Sequence, residues 1–230
     1  MGISIDIEGI DGSGKRTLAE LIEKRWKEKV NYTVEIICFP RHTEEFSGEL
    51  VDKFLYEGLR FSERKEIREG MLYAIDRMVS LSRIRENGKS KIDEYFEGKF
   101  LIFDRYTASN FIHRSKNMNE EDLKAYVKTM ENIEYEITGI PRPDLTFVLL
   151  VKPEVSYKNI LRRGRQMDEN ESLENLTKAY NNLERLCELQ GYILIDCCKL
   201  NDNGEYEMKS REDILESVWA IIENNILAKE

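Results

Sequence analysis

The chain has 230 residues, 35 Lys and Arg against 44 Asp and Glu, and a net charge of −9. An acidic total of this size excludes a non-specific nucleic-acid binder, which needs net positive surface to displace counterions, and a hydrophobic share of 41 % excludes a disordered chain. Cys38, Cys187, Cys197 and Cys198 show no CxxC spacing, the start MGISIDIEG is not secretory, and no apolar run approaches the roughly 18 residues that span a bilayer, so a reduced, cytoplasmic protein with no membrane partner is expected.

The first predicted strand, Ile3–Ile7, alternates its apolar residues with Ser4 and Asp6. A glycine-rich turn follows, and then a helix with Leu18, Leu21, Ile22, Trp26 and Val30 on one face. The second strand is Val34–Cys38. The charged stretch Thr43–Phe96 has apolar spacing for two or three helices. The remaining strands are Phe100–Phe103, Leu145–Val151 and Tyr192–Ile195. Four of the five are almost continuously apolar, as in a parallel sheet covered on both faces. A last helix opens with Ser210 and Asp213 at capping-box spacing and carries Ile214, Leu215, Val218, Trp219 and Ile222 on one side. Strands alternating with helices imply right-handed crossovers and a doubly wound, five-stranded parallel α/β sheet. The absence of repeats, low-complexity segments and linkers makes one domain over residues 1–230 the expectation.

The turn reads Gly9-Ile-Asp-Gly-Ser-Gly14-Lys15-Arg16-Thr17, between a strand and an amphipathic helix, which is the context a phosphate-binding loop requires. Glycines let backbone N–H groups point inward around an anion, the helix N-terminus adds partial positive charge, and Lys15 reaches the outer phosphates. The strict pattern has Ser or Thr directly after the lysine; here Arg16 stands there and Thr17 follows. Phe100–Asp104 is an apolar strand ending in a carboxylate, the arrangement that holds or orients Mg²⁺ beside such a loop. Arg41 and Arg105 lie just past strands two and three, at the sheet end where α/β proteins bind ligands. Tyr73 and Arg77, four apart on one helix face, suit either stacking on and bonding to a base or, for the arginine taken alone, a solvated salt bridge beside a core tyrosine. Arg162-Arg163-Gly164-Arg165, followed by the acids Asp168, Glu169 and Glu171, suits a lid over about 162–171 that brings cations to a transferring phosphoryl group.

In order and spacing these segments resemble thymidylate kinases, of the nucleoside monophosphate kinase family, whose fold is that of P-loop NTPases. The resemblance rests on Glu8–Lys15, Phe39-Pro40-Arg41, Tyr73–Arg77, Asp104-Arg105-Tyr106 with Ser109-Asn110, Pro143-Asp144-Leu145, Pro153-Glu154 and the arginine segment. The Gly-Lys-Arg-Thr form of the loop also resembles one in part of the family. The resemblance implies transfer of a phosphoryl group from MgATP to dTMP. Asp11, Gly12, Ser13, Gly14, Lys15, Arg16 and Thr17 are the implied ATP site. Arg41 and Arg105 would hold the acceptor phosphate, with Asp11 near both acceptor and metal. Tyr73 would stack on thymine, Arg77 and Asn110 would read its polar edge, and Phe39 and Pro40 would surround its methyl. Ser109 and His113 complete the acceptor set, His113 standing where many members have a tyrosine near the sugar. Lys15, Asp11, Arg105, Arg163 and Arg165 are the implied catalytic residues; Asp11, Asp104 and Glu171 are the Mg²⁺ contacts. An acceptor-binding helical region over about 41–96 and a homodimer also follow. A deoxynucleoside kinase acting on thymidine, and a nucleotide-binding regulatory protein that has lost catalysis, are the alternatives. A cation pair aimed at an acceptor phosphate weighs against the first.

Overall fold

The computed structural model describes residues 2–30, 33–42, 46–164 and 171–229. Its main sheet holds β1 (Ile3–Gly9), β2 (Val34–Cys38), β3 (Phe100–Asp104), β4 (Leu145–Leu150) and β5 (Ile193–Asp196), in the order β2-β3-β1-β4-β5. All four pairings are parallel. The five predicted strands are therefore present, β2 with the predicted bounds and the others with ends moved by at most two residues. β1 lies in the middle, hydrogen-bonded to β3 and β4, and this explains its irregular pattern. Both faces are covered, so Ser4 and Asp6 are as buried as Ile5 and Ile7. Asp144 accepts from the Ser4 N–H at 2.8 Å. Neither Asp6 oxygen has a hydrogen-bond partner among the described residues, and burial, with Glu8 next, pushes its pKa well up.

One face of the sheet is covered by α1 (Lys15–Lys29) and α9 (Arg211–Asn225). Leu18, Ile22 and Trp26 from the first helix meet Val218, Trp219 and Ile222 from the second in one core cluster. The predicted cap is present: Ser210 Oγ accepts from the Asp213 N–H at 3.0 Å, and the five predicted apolar residues behind it are buried. The stretch after β2 forms α2 (Phe46–Tyr56), α3 (Lys65–Ser82) and α4 (Lys91–Phe96), three helices as the upper expectation had it.

The second face is covered by α5 (Thr107–Arg114), α6 (Glu120–Glu131), α7 (Pro153–Arg162) and α8 (Leu173–Gln190). Phe111, Tyr126, Val148, Leu183 and Leu186 belong to its core. A π-helical turn, Asn132–Ile137, continues α6. The sequence reading had no place for the hairpin β6 (Cys198–Leu200) and β7 (Tyr206–Met208). Three-residue strands are too short to carry a periodic signal.

Candidate active site

β1 runs directly into the glycine-rich loop, and the geometry there needs glycine. Gly9, Gly12 and Gly14 have φ of +143°, +80° and +93°. A Cβ on Gly12 would lie 2.5 Å from the Ser156 carbonyl oxygen of α7, and one on Gly9 2.8 Å from that of Leu149 in β4. The loop is thus pressed onto the helix and strand behind it, and Asn159 Nδ2 donates to the Gly12 carbonyl at 3.1 Å. No side chain caps the N-terminus of α1, which leaves its first amides to the loop's interior. Lys15 Nζ spans that interior, 3.0 Å from the Gly9 carbonyl and 2.8 Å from that of Ile10. Burial, with Arg105 nearby, lowers its pKa to about 8.

The loop stands between two clefts. The first, about 870 Å³, contains Asp11, Phe39, Pro40, Arg105 and His113, and beyond them Tyr73, Arg77, Ser109 and Asn110. Asp11 and Arg105 form a close ion pair. Burial alone would raise the Asp11 pKa, but the Arg105 and Lys15 cations outweigh it and hold the carboxyl well below the usual range. Arg105 sits at φ +69°, a left-handed conformation that side chains seldom adopt and that concentrates at functional sites. Its Nη1 lies 3.5 Å from His113 Nε2. Burial lowers His113 to about 3, Arg105 and Arg114 assisting against Asp11, so its imidazole is neutral and can accept. The second cleft, about 1020 Å³, is lined by Gly12, Ser13 and Gly14 of the loop, Thr17 in the first turn of α1 and Arg163 of the segment after α7. Met208, Lys209 and Arg211, from the hairpin and the start of α9, form its outer wall.

The glycine-rich loop thus has a cleft on each side, one holding Arg77 and Arg105 and the other Arg163, Lys209 and Arg211. The model of the thymidylate kinase family matches residues 7–202. The chain belongs to the thymidylate kinase family. The thymidylate kinase of Mycobacterium tuberculosis is 27 % identical over 187 residues, 81 % of this chain and 79 % of that protein. A probable thymidylate kinase of Pyrococcus horikoshii is 27 % identical over 228 residues, 98 % of each chain. Among solved structures, a thymidylate kinase from Candida albicans superposes with a TM-score of 0.67 at 21 % identity, over 97 % of this chain and 92 % of that one. It shares the fold.

Within this thymidylate kinase fold, most of the predicted residues line the two clefts beside the loop. Four depart from the roles the sequence implied. Arg16 does not line the second cleft: its side chain pairs with Glu20 at 2.8 Å on the exposed face of α1, while Thr17, one position on, lines it. Ser109 gives its Oγ to Glu8 at 2.7 Å, although it borders the first cleft. Glu171 is wholly buried and lines neither cleft. Arg165 and Asp168 lie outside the described residues, as does most of the predicted lid. Arg41 is the fourth: Pro40 and His42 on either side of it line the first cleft, and it does not. Its N–H donates to Asp76 Oδ2 at 2.8 Å, and Ser47 Oγ donates to Asp76 Oδ1 at 3.0 Å, which ties the loop after β2 to α2 and α3.

Among the described residues no three acidic, histidine or cysteine side chains converge on a point that could hold a metal ion. Mg²⁺ in sites of this kind takes one or two carboxylates and completes its shell with substrate phosphate oxygens and water. Asp104, at the end of β3 and close enough to Lys15 to work against the lowering of the lysine's pKa, is a carboxylate of that sort, so the donor set fits.

Sequence reasoning missed two buried acids that organise the site. Glu8 accepts from the N–H groups of Tyr106 and Ser109 at 2.7 and 2.9 Å, and so holds the start of α5 against β1. Glu134 binds Arg77 and Asn110 together. Glu8 adjoins the loop, but its partners stand about a hundred residues away, and nothing in the local pattern announces them. Tyr73 lies edge-on to Phe54 at 6.4 Å, with Arg114 over its ring at 5.5 Å, which fixes one wall of the cleft.

Proposed function

We propose that the chain transfers the γ-phosphoryl group of ATP to dTMP, giving ADP and dTDP. The observation that carries this reading is the placement of the phosphate loop between two clefts, with Asp11 and Arg105 at the loop end of one and Arg77 and Asn110 further in. A nucleoside monophosphate fits that polarity, its phosphate at the loop and its base at the far end. The acceptor is already an anion at neutral pH, so positioning and charge neutralisation, not a strong general base, make up the catalysis.

Arg105, fixed on one side by Asp11, presents Nη1 to the acceptor phosphate. Lys15 and the amides at the start of α1 hold the donor phosphates from the other side, and Arg163 approaches from the segment after α7. Asp104, with Asp11, would hold a divalent cation, which when bound offsets the charge that accumulates between donor and acceptor oxygens. Phe39 and Pro40 give the base an apolar edge, and Tyr73 a stacking wall. A homodimer is the proposed working form, supported by Met71 and Ile75 standing exposed on α3, and light scattering tests it.

A coupled ADP-release assay with dTMP, dUMP, UMP, dCMP, dGMP and thymidine tests the activity. The highest kcat/KM is expected for dTMP, with none for thymidine. Turnover of thymidine without dTMP would make the protein a nucleoside kinase. ATP binding without turnover of any acceptor would make it a regulatory protein.

A further inference from the structure

Arg77 and Asn110, the two groups assigned to the polar edge of the base, are both held by Glu134, a fully buried carboxylate in the π-helical turn after α6. Glu134 Oε2 accepts from Arg77 Nε at 3.0 Å, and Oε1 accepts from Arg77 Nη2. The same Oε1 accepts from Asn110 Nδ2 at 3.0 Å, and Nδ2 also donates to the Gly70 carbonyl at 3.1 Å. An amide nitrogen has two protons, so both are committed away from the cleft. Turning the amide over would set its oxygen against a carboxylate and a carbonyl, three acceptors facing one another. The orientation is therefore fixed by its neighbours. Asn110 Oδ1 has no hydrogen bond among the described residues, and Asn110 lines the cleft, so this side chain offers an acceptor to a ligand. Arg77 is fixed likewise, with Nη1 donating to the Tyr106 carbonyl at 3.2 Å, and what it has left to offer is donors.

We propose that Glu134 is the positioning residue that sets the hydrogen-bonding polarity of the acceptor cleft, so that it takes a base with an N3–H beside a 4-carbonyl and rejects cytosine. Thymine and uracil bring a donor to Asn110 Oδ1 and an acceptor to Arg77. Cytosine brings a lone pair at N3 and an amino group at C4, so both contacts set like against like. Glu134 touches no substrate; it acts through the two residues it holds. The inference rests on the assignment of this cleft to a pyrimidine monophosphate.

The test compares kcat/KM for dTMP and dCMP in the wild-type protein and in Glu134→Gln. Two mismatched contacts at about tenfold each predict a wild-type preference of about 100-fold for dTMP. Glu134→Gln is expected to lose about tenfold of that ratio, with KM for dTMP raised and KM for ATP unchanged. A purely structural role would depress both acceptors alike and leave the ratio intact. A wild-type protein that takes both acceptors equally overturns the base assignment and this proposal together. A selective wild type with an equally selective variant overturns the proposal alone. Because removing one partner of a buried pair is strongly destabilising, a second readout uses the wild-type protein. The Asn110 side-chain amide protons are expected to exchange slowly in the absence of ligand, and exchange at the rate of a free amide would overturn the proposal even if the variant did not fold.

Discussion

Replacing Arg105 by Met keeps most of the side chain's length and removes its charge, and the structure gives the size of two separate effects. The first is on the acceptor. Nη2 is committed to Asp11, so Nη1, beside His113, is the group proposed to meet the phosphate. A lost charge-assisted hydrogen bond is worth about 1.5–3 kcal/mol, or about 10- to 150-fold in kcat/KM for dTMP. Arg105 lines the first cleft and not the second, so KM for ATP is expected to hold within about twofold. The second effect is on Asp11, which is 6 % exposed and loses its nearest cation, at a cost of about 1–3 kcal/mol for a partly buried pair at pH 7. The pair holds the folded-state pKa of Asp11 below its ordinary 3.8. Its stabilisation is therefore complete above about pH 4 and is lost only as pH falls through the depressed value. Urea unfolding should show a constant gap between wild type and variant from pH 8 to about 5, narrowing below about 4. Steady-state kinetics with each substrate varied measures the first effect. Unchanged dTMP kinetics alongside reduced stability would refute the acceptor role and leave Arg105 as the partner of Asp11 alone.

Three further outcomes are expected. In Gly12→Ala, a left-handed φ costing about 1–2 kcal/mol is joined by a clash with the Ser156 carbonyl. Scanning fluorimetry should show a Tm lower by about 4–8 °C, and calorimetry should show ATP binding weakened by about tenfold or more. Thr17→Ala should raise KM for ATP, whereas Arg16→Ala, which removes an exposed helix pair worth about 0.3–0.5 kcal/mol, should leave it unchanged; the reverse order would return Arg16 to the donor site. Lys15, at about 8 in the free protein, attracts phosphates only as a cation, so kcat/KM for ATP should fall as pH rises through about 8 and level off below about 7.

The phosphate loop, the Ser210 cap and the core strands were legible in the sequence because their signals are local: glycine spacing, a cap three residues from its partner, and short apolar runs. β1 was the least regular of these, since Asp6 looks like a solvent-facing position until the helices on both faces are known. Arg77 shows the limit in the other direction. Its helix-face pairing with Tyr73 was readable, and both line one cleft, but its ion-pair partner Glu134 is 57 residues away and sits in a π-helical turn that no periodicity marks. The hairpin that walls the second cleft escaped for a different reason: its strands span three residues each. The motif counts positions and so puts Arg16 in the loop, whereas the helix decides which way each position points and turns Arg16 toward Glu20.

Glu8 and Gly9 are neighbours on one strand, and between them they tie down both halves of the site: Glu8 fastens the start of α5, and Gly9 begins the phosphate loop. The spacing between acceptor and donor is thus measured from a single ruler laid through the middle of the sheet. A substitution that slides or tilts β1 carries both substrates with it and spares the gap across which the phosphoryl group moves. One that loosens either attachment changes the gap itself. Harm should therefore follow which fastening is cut more closely than how far the strand is displaced.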